Sequence, residues 1–251
     1  MDIGLIITAA LSGVFIGSVL GFIGAGGAMV SVPIFIYLFD FSPVAATTAS
    51  LAVVGLAAIA GLRPKFKSND VLVKEGLTIW ALGLVSNIGF SLIVEDIPET
   101  VILVGFSMVL IGAAYSMLKV PAKGVAEKRM PSWALIILSL VIGSITGLFG
   151  IGGGFLAIPV LVLFFNTPQN KAAGTSLFII ALNCLTALFA KIPIWDQLNW
   201  GYPILIAITA VVTAQATSKI ATRTPTVHLK QAFAFLLIAI AGFTILNQVI
   251  L

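Results

Sequence analysis

Two glycine elements carry the chemistry that this sequence allows. Gly24, Gly26 and Gly27 lie ahead of Val32-Pro33, and Gly150, Gly152 and Gly153 lie ahead of Ile158-Pro159; 150 minus 24 and 159 minus 33 both give 126. Clustered glycine breaks a helix and exposes backbone, which hydrocarbon does not tolerate unless the freed N–H groups find partners. The helix that restarts after each break presents unpaired N–H groups and about half a positive charge, which suits an anion. Hydroxyl residues follow each element: Thr47, Thr48 and Ser50 in the first copy, Thr175 and Ser176 in the second, with Asn183 two turns further on. They can donate hydrogen bonds to an oxyanion without adding charge, or back-bond to their own helix carbonyls.

The elements that must position these groups are membrane helices. With 60% hydrophobic residues, 9% charged residues and a mean hydropathy of +1.18 over 251 residues, the chain cannot cover a water-facing surface. Its net charge of +4 comes from short basic loops and reflects topology rather than nucleic-acid binding. The first apolar run has no basic stretch before it and reads as a permanent span rather than a cleaved signal.

Six uncharged runs are long enough to cross, near 44–62, 77–94, 101–118, 172–190, 202–218 and 231–251. The segments 3–40 and 132–166 are each too long for one helix and are broken at the glycine element. Each reads as a hairpin with its tip inside the membrane. The expected fold is therefore all-α and polytopic, with a first repeat at 1–125 and a second at 126–251 forming one transport domain.

Arg63, Lys65, Lys67 and Lys74 mark one cytoplasmic loop, Lys119, Lys123, Lys128 and Arg129 a second, and Lys219, Arg223 and Lys230 a third. The second glycine segment and two plain spans lie between the second and third loops, so that segment must cross an even number of times, and each half is read as three plain spans plus a hairpin. Each half then crosses an odd number of times, so the halves are inverted and both termini face outward. A parallel eight-span arrangement is the alternative.

Gly13, Gly17 and Gly21, matched by Ser139, Gly143 and Gly147, share a helix face and are expected to pack helices closely. Ser42-Pro43 and Thr167-Pro168 are expected to cap the helices that follow the hairpins. Cys184 excludes an intrachain disulfide, and one His and one Cys assemble no metal site, so neither metal nor cofactor is called for.

The run Gly147-Leu148-Phe149-Gly150-Ile151-Gly152-Gly153-Gly154-Phe155, then Ile158-Pro159 and Ala173-Gly174-Thr175-Ser176-Leu177, resembles the sulfite exporter TauE/SafE family. A weaker copy lies at Gly24 to Pro33 and at Thr48-Ala49-Ser50-Leu51, where Ala28 replaces the third glycine and Ala49 stands opposite Thr175. The resemblance covers the whole chain and implies a plasma-membrane permease for sulfur-containing anions such as sulfite, thiosulfate or sulfonates. The expected partners are a small anion and the lipid bilayer, with no nucleic acid, and a homodimer is left open. An anion channel shares every motif with a carrier. A thiol enzyme built on Cys184 is the competing class.

Overall fold

A computed structural model describes residues 3–93, 131–149 and 154–221, together with parts of 104–118 and 231–246. Its described elements are helices: α1 Ile3–Ile23, α2 Gly27–Phe39, α3 Pro43–Lys67, α4 Val73–Ile93, α5 Ser132–Phe149, α6 Gly154–Phe165, α7 Gln169–Ala190 and α8 Gly201–Ala221, with a 3-10 segment at Ile192–Gln197 before α8. The described residues in 104–118 and 231–246 are helical as well. Among the described residues, four helices, α1, α3, α7 and α8, are long and apolar enough to cross a membrane. Ile7, Leu11 and Phe15 of α1 and Ile204, Ile208 and Val212 of α8 are exposed, so apolar faces point outward as a lipid-embedded protein requires.

The first glycine segment is interrupted between helices. α1 ends at Ile23 and α2 begins at Gly27, and α2 has 13 residues, roughly 20 Å of rise against a hydrocarbon core of about 30 Å. α5 closes at Phe149 and α6 opens at Gly154 with 12 residues; Gly150, Gly152 and Gly153 lie outside the described residues.

α2 and α6 end in the same turn. Asp40 and Asn166 both take a left-handed φ of 52°. The following amides reach back alike, Phe41 N–H to the Phe35 carbonyl at 3.0 Å and Thr167 N–H to the Leu161 carbonyl at 3.1 Å. The next helix opens three residues after each turn, at Pro43 and at Gln169, but the caps differ. Ser42 caps α3, its Oγ accepting from Ala45 N–H at 3.3 Å with Pro43 at the first helical position. Thr167 does not cap α7: the N-cap is Pro168, and Thr167 Oγ1 is buried without a hydrogen-bond partner.

Small residues set the packing. α1 and α8 run parallel in close contact: a side chain on Gly13 would overlap Thr209, one on Gly17 would overlap Ala210, and one on Gly21 would overlap Thr217. Thr217 Oγ1 also donates to the Gly17 carbonyl at 3.3 Å. α4 and α5 approach similarly, Gly143 lying against Gly83 and Ser86 Oγ donating to the Leu140 carbonyl at 2.9 Å. These contacts are what the glycine spacing predicts.

α3 and α7 form the central pair and run antiparallel. Lys65 lies against Gly174, Gly61 against Leu177, Gly55 against Cys184, and Lys191 reaches Thr47. One buried apolar cluster gathers Ile142 of α5, α6 residues and the opening of α7 around Val19, Ile23 and Ala25; the other gathers α1, α2, α3, the middle of α7 and α8. Residues from both chain halves thus enter each core.

Candidate binding site for a small anion

The first interruption turns on two glycines. Gly24 and Gly26 have φ of 78° and 84°, a region costly to residues with a Cβ. Gly24 N–H still closes onto the Leu20 carbonyl at 2.8 Å, and Val30 N–H reaches the Gly26 carbonyl at 3.3 Å, so α2 starts as soon as the turn is complete. Gly26 offers no side-chain cap, leaving the first-turn amides of α2 outside the helical ladder. Gly24, Ala25, Gly26 and Gly27 are all buried. The tip seats on the second half of the chain: a Cβ on Gly24 would come within 2.6 Å of the Ala173 Cβ and carbonyl. Gly27 faces Leu20 across the turn.

The hydroxyls beyond the hairpins occupy two places. Ser50 is buried and hydrogen-bonded to the buried Ser31 of α2. Thr47 Oγ1 donates to the Val44 carbonyl at 2.9 Å, and Thr48 Oγ1 to the same carbonyl at 2.8 Å. At the other end of the pair, Thr175 Oγ1 donates to the Lys171 carbonyl at 2.7 Å and accepts from Leu72 N–H at 3.0 Å, tying α7 to the connection after α3. Ser176 is buried beside it. Since Gly61 meets Leu177 and Gly55 meets Cys184, Ser176 stands level with the region of Leu62, about 12 residues or roughly 18 Å along the helix from Ser50. The two groups line separate ends of the α3–α7 pair. Asn183 sits half-buried between them, next to the Gly55–Cys184 contact, and its main-chain carbonyl accepts from Thr186 Oγ1 at 3.0 Å. Cys184 is buried as a small packing residue against Gly55.

Three groups that composition and motif do not single out belong to these ends. Ser31 lies one turn into α2, inside the hairpin rather than on the helix after it. Lys191, at the close of α7, donates from Nζ to Thr47 Oγ1 at 3.0 Å. Partial burial pushes this lysine below the ordinary range, because the ammonium gives up water that the single hydroxyl does not replace. Lys65, counted from sequence as a loop charge, is fully buried within α3, and its Nζ has no hydrogen-bond partner. The available signal was the repeat offset, for 65 plus 126 is 191. Among the described residues no group of His, Cys, Asp or Glu is arranged to hold a metal ion.

Comparison with known proteins agrees with this architecture. The family model for "Sulfite exporter TauE/SafE" matches residues 9–244. The probable membrane transporter protein YunE of Bacillus subtilis is 30% identical over 221 residues, covering 77% of this chain and 80% of that protein. A probable membrane transporter protein of Xylella fastidiosa is 26% identical over 261 residues, covering 98% and 97%. One from Methanocaldococcus jannaschii is 39% identical over 83 residues, a match that spans 31% of either chain. No solved structure matches at a significant level. The chain is thus a membrane protein that belongs to the sulfite exporter TauE/SafE family.

Proposed function

We propose that this protein is a secondary transporter that moves a small sulfur-containing anion, such as sulfite, thiosulfate or a sulfonate, across the cytoplasmic membrane. Family membership supports the class of solute. The observation that carries the reading is the buried helix start at Gly27, which has no side-chain cap and follows a tip whose Gly24 seats on Ala173 of α7. Backbone amides left outside a helical ladder in a membrane interior need a partner, and an anion supplies one.

In this reading the glycines 24, 26, 27, 150, 152 and 153 form the two helix starts, and Thr47, Thr48, Ser50, Thr175, Ser176 and Asn183 line the route between them. The chain is taken as an inverted duplication, 1–125 and 126–251, with both termini extracytoplasmic. That arrangement is supported by α3 and α7, helices related by the offset of 126, which pack antiparallel, and by the matching turns at Asp40 and Asn166. In proteoliposomes, saturable uptake of labelled sulfite or thiosulfate with trans-stimulated counterflow is the expected result. Flux that never saturates would make the protein a channel, and no flux of any sulfur anion would overturn the assignment.

A further inference from the structure

We propose that Lys65 and Lys191 are the charged anion-binding residues at the two ends of the α3–α7 pair, each serving the end at which the other helix opens. The inference rests on the transporter reading and adds to it the full positive charges that the glycine tips and hydroxyls lack. The lysines are 126 residues apart, the same offset as the glycine elements. They occupy corresponding places: Lys65 closes α3 over the second turn of α7, its Cβ 3.4 Å from where a Cβ on Gly174 would lie, and Lys191 closes α7 over Thr47 in the first turn of α3.

Lys65 is the more telling of the two. It is 0% exposed, and its Nζ is without a hydrogen-bond partner. Asp70 of the adjoining connection attracts Lys65 through its charge, but no hydrogen bond joins them, its Oδ2 accepting from Ser68 Oγ at 2.7 Å. At the same end of α7, Thr167 Oγ1, both amide atoms of Gln169 and the Asn170 Oδ1 acceptor are buried and unpartnered. Thr167 and Gln169 stand at the opening of a 22-residue helix whose second turn Lys65 covers, and the ammonium, the hydroxyl and the carboxamide N–H are donors without an acceptor at this end of the pair. Burial of a charge with no hydrogen-bond partner is expensive, and an ionisable residue inside a membrane helix points to a functional ligand. An oxyanion satisfies the ammonium and the donors together. Lys191, half-buried and already bonded to Thr47, offers the same charge at the opposite end.

The test uses the full-length protein in proteoliposomes with labelled sulfite and thiosulfate, comparing wild type with Lys65→Gln, Lys65→Arg and Lys191→Gln. Lys65→Gln is expected to raise KM at least tenfold, Lys65→Arg to stay within threefold of wild type, and Lys191→Gln to raise KM on the opposite face of the vesicle. A KM unchanged in Lys65→Gln, or raised equally in Lys65→Arg, would overturn the inference while leaving the transporter reading intact. Absence of flux in wild type would sink that reading instead. If Lys65→Gln does not insert, Lys65→Met, which keeps the aliphatic stem, and the Lys191→Gln profile decide: unchanged KM in either one rejects the paired role.

Discussion

The Lys191 ammonium, at the close of α7, donates a 3.0 Å hydrogen bond to Thr47 Oγ1 in the first turn of α3, joining residues 144 positions apart. Thr47 in turn donates to the Val44 carbonyl at 2.9 Å. The contact fastens the end of one central helix to the start of the other. A charged hydrogen bond of this kind, partly exposed, contributes about 1 kcal/mol. Thr47→Val and Lys191→Met should each lower Tm in detergent by a few degrees, about what that energy gives for a chain of this size. The double variant should lose no more than the larger single loss, and additive losses would show that the two side chains act independently.

Gly24 combines a φ of 78° with a seat against Ala173. A Cβ there meets a steric cost of about 1–2 kcal/mol from the left-handed backbone before it meets Ala173. Gly24→Ala is therefore expected to slow flux by at least tenfold while the protein still inserts, and Gly24→Leu to abolish it. Gly27 faces the flexible Leu20 side chain, so Gly27→Leu should be accommodated in the fold and still abolish transport by covering the start of α2. Robust flux in Gly27→Leu would exclude that helix start from the route.

Ser31 and Ser50 bond to one another between α2 and α3 with no exposure to solvent. Removing one hydroxyl leaves the other without that partner and costs about 1–3 kcal/mol, whereas removing both leaves a small apolar contact. Ser31→Ala and Ser50→Ala should thus each destabilise the protein more than the double variant does. If the pair also belongs to the anion route, the double variant regains Tm without regaining flux; recovery of both would assign the serines to the frame alone.

Local signals account for what the sequence discloses. The glycine break at Gly24 to Gly27, the short second arm ending at Phe39 and the Ser42 cap are each read from a few adjacent residues, and α2 and α3 appear where those residues place them. Thr167 shows the limit of the same logic: its dipeptide matches Ser42-Pro43, but the left-handed turn at Asn166 sets α7 opening one residue later, and the hydroxyl is stranded. The register of α3 against α7 has no local trace, because it is fixed by contacts such as Gly55 with Cys184 across more than half the chain. That register decides which hydroxyls share a place, so the separation of Ser50 from Ser176 is visible only in the fold. The burial of Lys65 is hidden for a similar reason, since a lysine beside Arg63 and Lys67 reads as a loop charge until α3 is seen to continue through it.

The frame itself can be tested apart from the site. In lipid no hydrophobic force draws helices together, so close contact depends on small residues that admit backbone to backbone. Gly17 lies where a Cβ would press on the backbone of Ala210 in α8, and that backbone cannot rotate away as a side chain can. Gly89, on α4, has nothing among the described residues within 4 Å of where its Cβ would stand. Gly17→Leu should therefore separate α1 from α8, lower the yield of folded protein severalfold and broaden its size-exclusion profile. Gly89→Leu, the same change in an open place, should leave yield and profile as in wild type. Equal tolerance of both would mean that the α1–α8 contact does not hold the fold together, and equal damage would place a further packed surface over Gly89.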